Sequence, residues 1–341
     1  KSIIYIINII MGIKNLTQLI KSNAPNSIQT KALYELRGKK IAIDSSIIIY
    51  KSLTNYRNKG DYIRNKENKI ISHLLGILNK TTLYLSLGII PIFIFDGKPP
   101  ESKQQTINER KNRIIESNEL LKNTESTEEK IKLEKKTIRI TTQYVQEIKE
   151  LLDKLNVQYY HPDGEAETFA SELCRTGKVD YVVTEDMDAL ACGTPFMIRN
   201  CIDKSIKRND VVSIFSLEKL LVDFNISFSQ FIDLCILCGC DYCPTIPSIG
   251  PKTAFKLIQK HKTIENILLN EPNLKSCEPF KENYLKARET FFIFKNKILH
   301  EEYIKKDINL IELQSYLKDS LNLTDKRVQN YLKKININNN V

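Results

Sequence analysis

Short apolar runs that end in acidic residues alternate along the chain with amphipathic segments. The runs have the length and composition of buried strands, and three of them are KKIAID, PIFIFD and VDYVVTEDMD. Between them, residues 71–88 and 141–156 carry apolar side chains at the three- and four-residue spacing of a helix that faces a core. Strands that alternate with helices predict an α/β fold with a mostly parallel central sheet flanked by helices. The acids at the ends of these runs are Asp44, Asp96, Asp186 and Asp188.

Two later segments depart from this alternation. Residues 98–140 are polar, with eleven Lys or Arg and eight Asp or Glu, and they have no strong apolar stripe. This pattern is typical of a solvated charged helix or a disordered insert, and it also fits a helical element that closes over a substrate. From about residue 250 the pattern is helical, and the chain ends in an Asn-rich tail that we expect to fray.

The composition adds a charge bias. The chain carries 51 Lys and Arg against 41 Asp and Glu, a formal net charge of +10. The excess favours a polyanionic partner, because Lys and Arg that neutralise phosphates release counterions, although an ordinary basic protein has the same composition. The eight scattered cysteines predict reduced thiols in a nuclear or cytosolic compartment. No apolar run reaches the length of a membrane span, so we expect no membrane partner.

The acids predict a metal-dependent phosphodiesterase. Hydrolysis of a phosphodiester must activate a water and stabilise charge on the entering and leaving oxygens, and two Mg²⁺ ions about 4 Å apart do both. Mg²⁺ prefers oxygen ligands, so clustered carboxylates are its expected holders. A single acid after a strand often only caps the next helix, and Glu165 and Glu167 also suit the dipole of a helix that we expect Asp163 to cap. The seven candidate ligands are Asp44, Asp96, Glu165, Glu167, Asp186, Asp188 and Asp241.

These acids lie in segments that together resemble the successive motifs of flap endonucleases. The segments are MGIKNL (11–16), AIDSSIIIY (42–50), IFDGKPP (94–100), GEAE (164–167), TEDMDAL (184–190), LCILCGCDYC (234–243) and IGPKTA (249–254). Their order and spacing match, from about residue 11 to 335. In that family the first metal is held by the acids matching Asp44, Asp96, Glu165 and Glu167. The second is held by those matching Asp186, Asp188 and Asp241. The resemblance thus implies two Mg²⁺ per subunit, with Mn²⁺ as a substitute.

The resemblance also implies which groups handle DNA. Lys103 and Arg110 match the basic pair that contacts the scissile phosphate, where cations would stabilise developing charge. Tyr50 matches an aromatic residue on which the base next to the cut stacks. Without the resemblance, Lys103 and Arg110 are ordinary surface charges and Tyr50 is a core tyrosine. The DNA contacts that the resemblance implies are Arg57, Lys80, Glu165, Gly239, Asp241, Gly250 and Lys252.

A helix–two-turn–helix element is expected around residues 248–252. Gly250 would permit the tight turn, Pro251 suits the first position of the next helix, and the amides there can hold a phosphate with Lys252. The family has glycine where this chain has Ser248, which leaves a bound monovalent cation open.

The predicted organisation follows from these segments. Residues 1–10 are expected to be a non-native leader, with a targeting segment as the alternative, because MGIKNL opens the pattern at Met11. Residues 11–114 form an N-terminal nuclease region, 115–140 a helical arch segment, and 141–261 an internal nuclease region with the helix–two-turn–helix. Residues 262–341 form a helical C-terminal region, a DNA clamp with a frayed tail.

The function that the resemblance implies is a structure-specific 5′-flap endonuclease and 5′→3′ exonuclease, used in Okazaki-fragment maturation and long-patch base excision repair. The alternatives are a junction-resolving or exonuclease relative, or a non-catalytic DNA-binding scaffold on the same fold. We expect a monomer that acts on branched DNA (5′ flaps, nicks and gaps) in the nucleus, with mitochondria as the alternative. Binding to a sliding clamp (PCNA) stays open, because Gln329-Asn330-Tyr331-Leu332 begins like the clamp-binding peptide but lacks its aromatic pair.

Four cysteines close to Asp241 pose a separate question. Cys235, Cys238, Cys240 and Cys243 form two CxxC units, a spacing that suggests zinc. We expect them to pack as small apolar side chains instead, because FIDLCILC has the pattern of a buried helix.

Overall fold

A seven-stranded sheet organises the chain. The computed structural model describes residues 4–5, 12–58, 60–203, 205–271, 274, 277–292 and 308–336. The predicted leader lies outside these residues except for the backbone of Ile4–Tyr5, and the predicted frayed tail lies outside them from residue 337 onward. The strands are β1 Ile4–Tyr5, β2 Ile28–Ala32, β3 Lys40–Asp44, β4 Arg57–Asn58, β5 Asp61–Tyr62, β6 Ile90–Ile94, β7 Ile140–Thr141, β8 Tyr159–Tyr160, β9 Tyr181–Val183, β10 Phe196–Arg199 and β11 Val211–Ser216.

The predicted α/β fold is confirmed. The sheet has the order β2-β11-β10-β9-β3-β6-β8, in which β10 to β8 are parallel and β11 and β2 pair antiparallel. Two small antiparallel pairs, β1 with β7 and β4 with β5, lie outside it.

Helices cover both faces of the sheet. In chain order the first eight are α1 Leu16–Asn23, α2 Ser45–Asn55, α3 Ser72–Ser86, α4 Gln104–Asn123, α5 Thr127–Thr137, α6 Thr142–Lys154, α7 Ala166–Arg175 and α8 Asp188–Ala191. The later ones are α9 Leu217–Phe224, α10 Phe228–Cys238, α11 Pro251–His261, α12 Ile264–Asn270, α13 Glu278–Phe292, α14 Leu310–Asp319 and α15 Asp325–Asn336. Short 3₁₀ turns occur at Pro25–Ser27, Leu33–Leu36 and Glu101–Lys103. In the described part of the chain no single helix is long and apolar enough to cross a membrane; α9 and α10 meet that test only together, as a pair bent by 85°.

The alternation of side chains along the strands divides the core. In β3, Ile41 and Ile43 pack with α3, α6 and α15 on one face of the sheet, while Ala42 packs against α7 on the other. A further apolar cluster joins α1, α9, α10, α11 and α13. Since β3 is paired on both sides, by β6 and β9, its carboxyl end lies in the middle of the sheet.

The segment predicted as an arch consists of two helices, α4 and α5, called the arch below. Helix α4 begins at Gln104, so the boundary predicted at residue 115 falls inside a continuous helix. Lys103 and Arg110 therefore lie at its base, next to the sheet.

Two local expectations were wrong. Asp163 does not cap α7: Glu165 precedes the helix, and the side chain of Asp96 accepts from the Ala166 amide at 3.0 Å instead. In the turn before α11 the left-handed conformation belongs to Ser248 (φ 66°) and not to Gly250 (φ −105°).

The structure also places the segment that begins like a clamp-binding peptide, for which clamp binding was left open. It lies inside α15, where Tyr331 and Leu332 pack into the core and the Tyr331 hydroxyl donates to Asn79 at 2.7 Å. Tyr331 and Leu332 are therefore internal, whereas Gln329 and Asn330 are exposed. The amphipathic spacing of Val328, Leu332 and Ile335 explains why the segment folds as a helix.

A close helix crossing gives a test of the fold. Gly76 in α3 lies against α2, and a Cβ added to it would be 1.8 Å from Ser52 Oγ and 3.4 Å from Ser52 Cα. Gly76→Ala should lower the free energy of unfolding by roughly 1–3 kcal/mol, because the two helices must separate. Urea unfolding measures this. Gly164→Ala is the control, since its added Cβ would meet no atom within 4 Å. Equal stabilities of the two variants would contradict the crossing.

Candidate metal centre and active site

The acids predicted from the strand ends meet at one edge of the sheet. Asp44 is the last residue of β3, Asp96 follows β6 by two residues, and Asp186 and Asp188 follow β9. Because β9, β3 and β6 are adjacent and parallel, their carboxyl ends lie side by side. Asp44, Asp186 and Asp188 are 2%, 4% and 3% exposed, which is unusual for acids without a cationic partner.

Hydrogen bonds from helix starts orient the first group of acids. Asp44 Oδ1 accepts from the Ser46 amide at 2.9 Å and so caps α2. Asp96 accepts from two donors: the Ala166 amide reaches Oδ1 at 3.0 Å, and the Ser46 hydroxyl reaches Oδ2 at 2.5 Å. The start of α7 places Glu165 and Glu167 beside them.

The second group is built on the loop after β9. Asp186 Oδ1 accepts from the Asp188 amide at 2.9 Å, and the Asp186 amide donates to Thr184 Oγ1 at 3.1 Å. Gly12 lies directly against this loop: with φ 76°, a Cβ on it would be 1.8 Å from Asp186 Oδ1 and 3.1 Å from Asp188 Oδ1. A glycine is therefore needed at this approach.

The base of the arch supplies cations to two of the acids. Lys103 Nζ donates to Glu165 Oε1 and lies 3.5 Å from Asp241 Oδ2. Arg110 Nη2 donates to both oxygens of Asp241, at 2.8 and 2.6 Å. The Tyr242 hydroxyl donates to Glu165 Oε2 at 2.7 Å, and Lys103 Nζ lies 5.5 Å from the centre of its ring. Every carboxylate oxygen of Glu165 and Asp241 thus has a donor.

Burial, and after it the crowding of like charges, raises the pKa of two acids in the first group. Burial raises the pKa of Asp44 well above its ordinary value, and repulsion by Asp96 and Asp186 raises it further. Burial likewise raises the pKa of Glu167 well above normal, with added repulsion from Asp44, Asp96 and Asp186.

The second group shows the same effect. Burial raises the pKa of Asp186 to about 6, with Asp241 and Glu165 adding repulsion. Burial, followed by repulsion from Asp186 and Asp241, raises the pKa of Asp188 well above normal. For Lys103, burial alone would lower the pKa, but attraction to Glu165 and Asp241 raises it well above its ordinary value.

The donor set fits a hard divalent cation. Asp44 Oδ2 and Asp188 Oδ1 are buried and have no hydrogen-bond partner among the described residues. Both oxygens belong to acids that neighbouring acids repel, so a bound cation would offset their charge. As the side chains stand, no three His, Cys, Asp or Glu groups within the described ranges converge as metal ligands. Glu165 and Asp241 are instead paired with Lys103 and Arg110. For Glu165 and Asp241 to bind a metal together with the other acids, Lys103 and Arg110 would have to release them.

Two residues predicted to contact DNA are held by the arch. The Tyr50 hydroxyl donates to the Lys135 carbonyl of α5 at 3.1 Å. Arg57 Nη1 donates to Glu134 Oε2 at 3.0 Å and to the Gly60 carbonyl at 2.9 Å. Both side chains are therefore held against α5.

The remaining predicted DNA contacts are dispersed. Lys252 is exposed in the first turn of α11, which begins at Pro251 as expected. Gly239 ends α10 with φ 102°, and its carbonyl accepts from the Lys14 amide at 3.1 Å. Lys80 is buried, its ammonium donates to the carbonyl of Asp203, and burial lowers its pKa to about 8. As placed, Lys80 does not present a charge to solvent, contrary to the expectation of a DNA contact.

The clustered cysteines belong to one apolar cluster, in which Cys240 is partly buried. Cys235 and Cys238 are buried in α10, and the Cys243 thiol lies 3.8 Å from the Phe280 carbonyl. Burial raises the pKa of both Cys238 and Cys243 to about 12, which disfavours the thiolate that zinc requires.

A cleft of about 750 Å³ opens beside the acids. It is lined by the base of α4, by residues 240–245 and by α13, and its lining includes Arg110 and Asp241. A buried set of acids with two cations, open to a cleft under a helical arch, defines a metal-dependent nuclease that acts on phosphodiesters.

Comparison with known proteins gives the particular family. Family models match at residues 11–117 (XPG N-terminal domain) and 156–241 (XPG I-region). Flap endonuclease 1 of Cryptosporidium parvum (strain Iowa II) is 38% identical over 346 aligned residues, covering 95% of this chain and 70% of that protein. Flap endonuclease 1 of Caenorhabditis elegans is 34% identical, covering 95% and 86%. The chain belongs to the flap endonuclease family.

Solved structures agree in fold. The flap endonuclease-1 from Methanococcus jannaschii has a TM-score of 0.69 at 26% identity, covering 92% of this chain and 96% of that one. The catalytic core of Rad2 in complex with DNA substrate has a TM-score of 0.69 at 21% identity, covering 95% and 99%; this likeness concerns the fold alone.

Sequence reasoning missed several residues of the site. Ser46 and Tyr242, which hold acids in place, were not singled out, and neither was Thr106, whose hydroxyl donates to the Asp241 carbonyl at 2.7 Å. For Ser46 the available signal was its place two residues after Asp44, where a capped amide is expected.

The approach of Gly12 to Asp186 gives a testable prediction. Gly12→Ala combines an unfavourable φ with a clash against Asp186 Oδ1, whereas Gly38→Ala has the same φ problem (78°) with no atom within 4 Å of the added Cβ. Gly38→Ala should cost about 1–2 kcal/mol of unfolding free energy, and Gly12→Ala about 1–3 kcal/mol more. Chemical denaturation of both variants measures the difference, and equal losses would show that Gly12 does not press on the acids.

Proposed function

We propose that this chain is a structure-specific 5′-flap endonuclease and 5′→3′ exonuclease that hydrolyses DNA phosphodiesters with two metal ions. One observation carries the proposal: the acids of three strand ends, of the α7 start and of the 239–250 loop gather at one edge, beside two cations and a cleft. The loss of an acid would favour a non-catalytic scaffold, and all seven are present.

The proposed ligands follow from the two groups of acids. The first site would use Asp44, Asp96, Glu165 and Glu167. The second would use Asp186, Asp188 and Asp241. Mg²⁺, with Mn²⁺ as a substitute, would activate the attacking water and stabilise charge on both reacting oxygens. The chain's own groups bind and orient the DNA around this centre.

Lys103 and Arg110 are the groups proposed to contact the scissile phosphate. The guanidinium of Arg110 already donates to both oxygens of one carboxylate, and a phosphodiester offers its two free oxygens in a similar arrangement. DNA entering the cleft would therefore compete with Asp241 for Arg110. The exchange would free Asp241 for a metal at the moment the substrate arrives, while Lys103 and Arg110 stabilise charge developing on the phosphate.

Other groups would hold the branched DNA. The exposed Lys252 and the amides at the start of α11 would bind a duplex phosphate, Gly239 would allow close approach of backbone, and Tyr50 would stack on the base next to the cut. Tyr50 and Arg57 are held against α5, so their contacts with DNA require α5 to move.

The biological setting follows from this chemistry. A nuclease that removes 5′ flaps serves Okazaki-fragment maturation and long-patch base excision repair, which places this monomer in the nucleus, with mitochondria as the alternative. Tyr331 and Leu332 are packed inside α15, so a sliding-clamp contact would require a segment other than residues 329–332.

Cleavage of a labelled double-flap DNA tests the proposal directly. The protein should release the 5′ flap with Mg²⁺ and not without it. Asp186→Asn should slow release by roughly 100-fold or more while flap binding changes little, because the charge serves the metal and not docking. Asp163→Asn, which changes an exposed acid near the same edge, should cleave normally. Wild-type turnover by Asp186→Asn would remove Asp186 from the site.

The role of Arg110 has its own test. Arg110→Ala should reduce the single-turnover rate by about 100- to 1000-fold. Binding should fall only slightly, since one phosphate contact among many adds little affinity. Arg113→Ala is the matched control, because Arg113 lies one turn further along α4 and its side chain is 59% exposed. If both variants react alike, Arg110 is ordinary surface charge.

A further inference from the structure

One buried serine bridges two of the acids. Ser46 lies in the first turn of α2 and is 6% exposed. Its amide donates to Asp44 Oδ1 at 2.9 Å, and its hydroxyl donates to Asp96 Oδ2 at 2.5 Å. The two acids come from neighbouring strands, β3 and β6, so a single residue fixes their relative orientation across the sheet.

The bridge acts where the acids repel. Asp44 has little access to solvent, and repulsion by Asp96 adds to the rise in its pKa that burial causes. Without a donor between them, the Asp96 side chain would rotate away from Asp44. The hydroxyl of Ser46 opposes that rotation, while the Ala166 amide holds the other oxygen of Asp96 at 3.0 Å.

The bridge leaves oxygens free to bind a cation. Asp44 uses Oδ1 for the Ser46 amide, and its Oδ2 has no hydrogen-bond partner in the described part of the chain. Each oxygen of Asp96 has one donor and keeps a second lone pair. The hydrogen bonds thus hold the two carboxylates in place and leave lone pairs free for a cation.

We propose that Ser46 is a positioning residue that sets the divalent-metal affinity of the first site by holding Asp44 and Asp96 in register. Ser46 does not touch the substrate; it acts through the two carboxylates. Outer-shell hydrogen bonds of this kind change metal affinity by about 10- to 100-fold when removed. The inference rests on the proposed function, because it concerns the same metal site.

The neighbouring residue provides a matched control. Ser45 is also buried in the first turn of α2, and its hydroxyl has no hydrogen-bond partner among the described residues. Ser45→Ala and Ser46→Ala therefore remove the same group from adjacent positions, and only the second removes a bond to an acid. The Ser46 amide, and with it the cap of α2, is retained in both variants.

The experiment compares wild type, Ser45→Ala and Ser46→Ala in two measurements. Calorimetric titration of Mg²⁺ without DNA gives the affinity of the protein itself, and single-turnover flap cleavage at increasing Mg²⁺ gives the concentration for half-maximal rate. For Ser46→Ala we expect the dissociation constant for Mg²⁺ to be higher than that of wild type by at least about tenfold. The Mg²⁺ concentration for half-maximal rate should rise by the same factor. The rate of Ser46→Ala at saturating Mg²⁺ should approach that of wild type, and Ser45→Ala should match wild type throughout.

Three results would overturn the inference. Ser46→Ala could bind Mg²⁺ as wild type does, Ser45→Ala could show an equal shift, or Ser46→Ala could melt far below Ser45→Ala without Mg²⁺. The last would mean that the hydroxyl serves the fold and not the acids. If wild type itself neither binds Mg²⁺ nor cleaves, the proposed function fails instead, so the two failures are distinguishable.

Discussion

Repulsion among seven acids at one edge of the sheet is the constraint on which the site depends. Burial removes the solvent that would screen them, so the pKa values of Asp44, Glu167 and Asp188 lie well above normal. Glu165 and Asp241 are compensated by protein cations, whereas buried oxygens of Asp44 and Asp188 have no partner in the described residues. The charge density that opposes folding is the same density that binds a divalent cation, and a metal that binds only the folded state would stabilise it.

The compensating cations connect the acids to the arch. Asp241 accepts from Arg110 through both oxygens, and its carbonyl accepts from Thr106, one turn earlier in α4. At the other end of the arch, α5 holds Tyr50 and Arg57. Each of these partners belongs either to the acids or to the groups proposed to contact DNA. In the proposed function, a movement of the arch would therefore change the availability of acids and of DNA-binding groups together, and would couple the arrival of substrate to completion of the metal site.

The sequence predicted the parts that depend on local pattern. Strand ends with acids imply a shared edge once the strands are parallel, so the convergence of Asp44, Asp96 and Asp186 needed only the alternation of strands and helices. The sequence could not predict the direction in which a long side chain points, because tertiary packing decides it. Lys80 has the charge of a DNA contact, but its helix buries it against the Asp203 carbonyl, a contact set by tertiary packing. Residues 329–332 begin like a clamp-binding peptide, and only the packing of α15 on α3 shows that Tyr331 is internal.

Capping a helix and holding a metal were alternative explanations for an acid after a strand, and the structure shows that they are compatible. Asp44 accepts from an amide at the start of α2, Asp96 from one at the start of α7, and Asp186 from one at the start of α8. Each amide fixes one oxygen, and the positive end of the helix lowers the cost of the carboxylate charge by about 0.3–1 kcal/mol where the helix is long enough. A carboxylate has lone pairs beyond the one that caps, so the cap orients the acid without occupying it. The cap is thus the means by which this edge holds several like charges in fixed positions, and a cation is what their remaining oxygens still require.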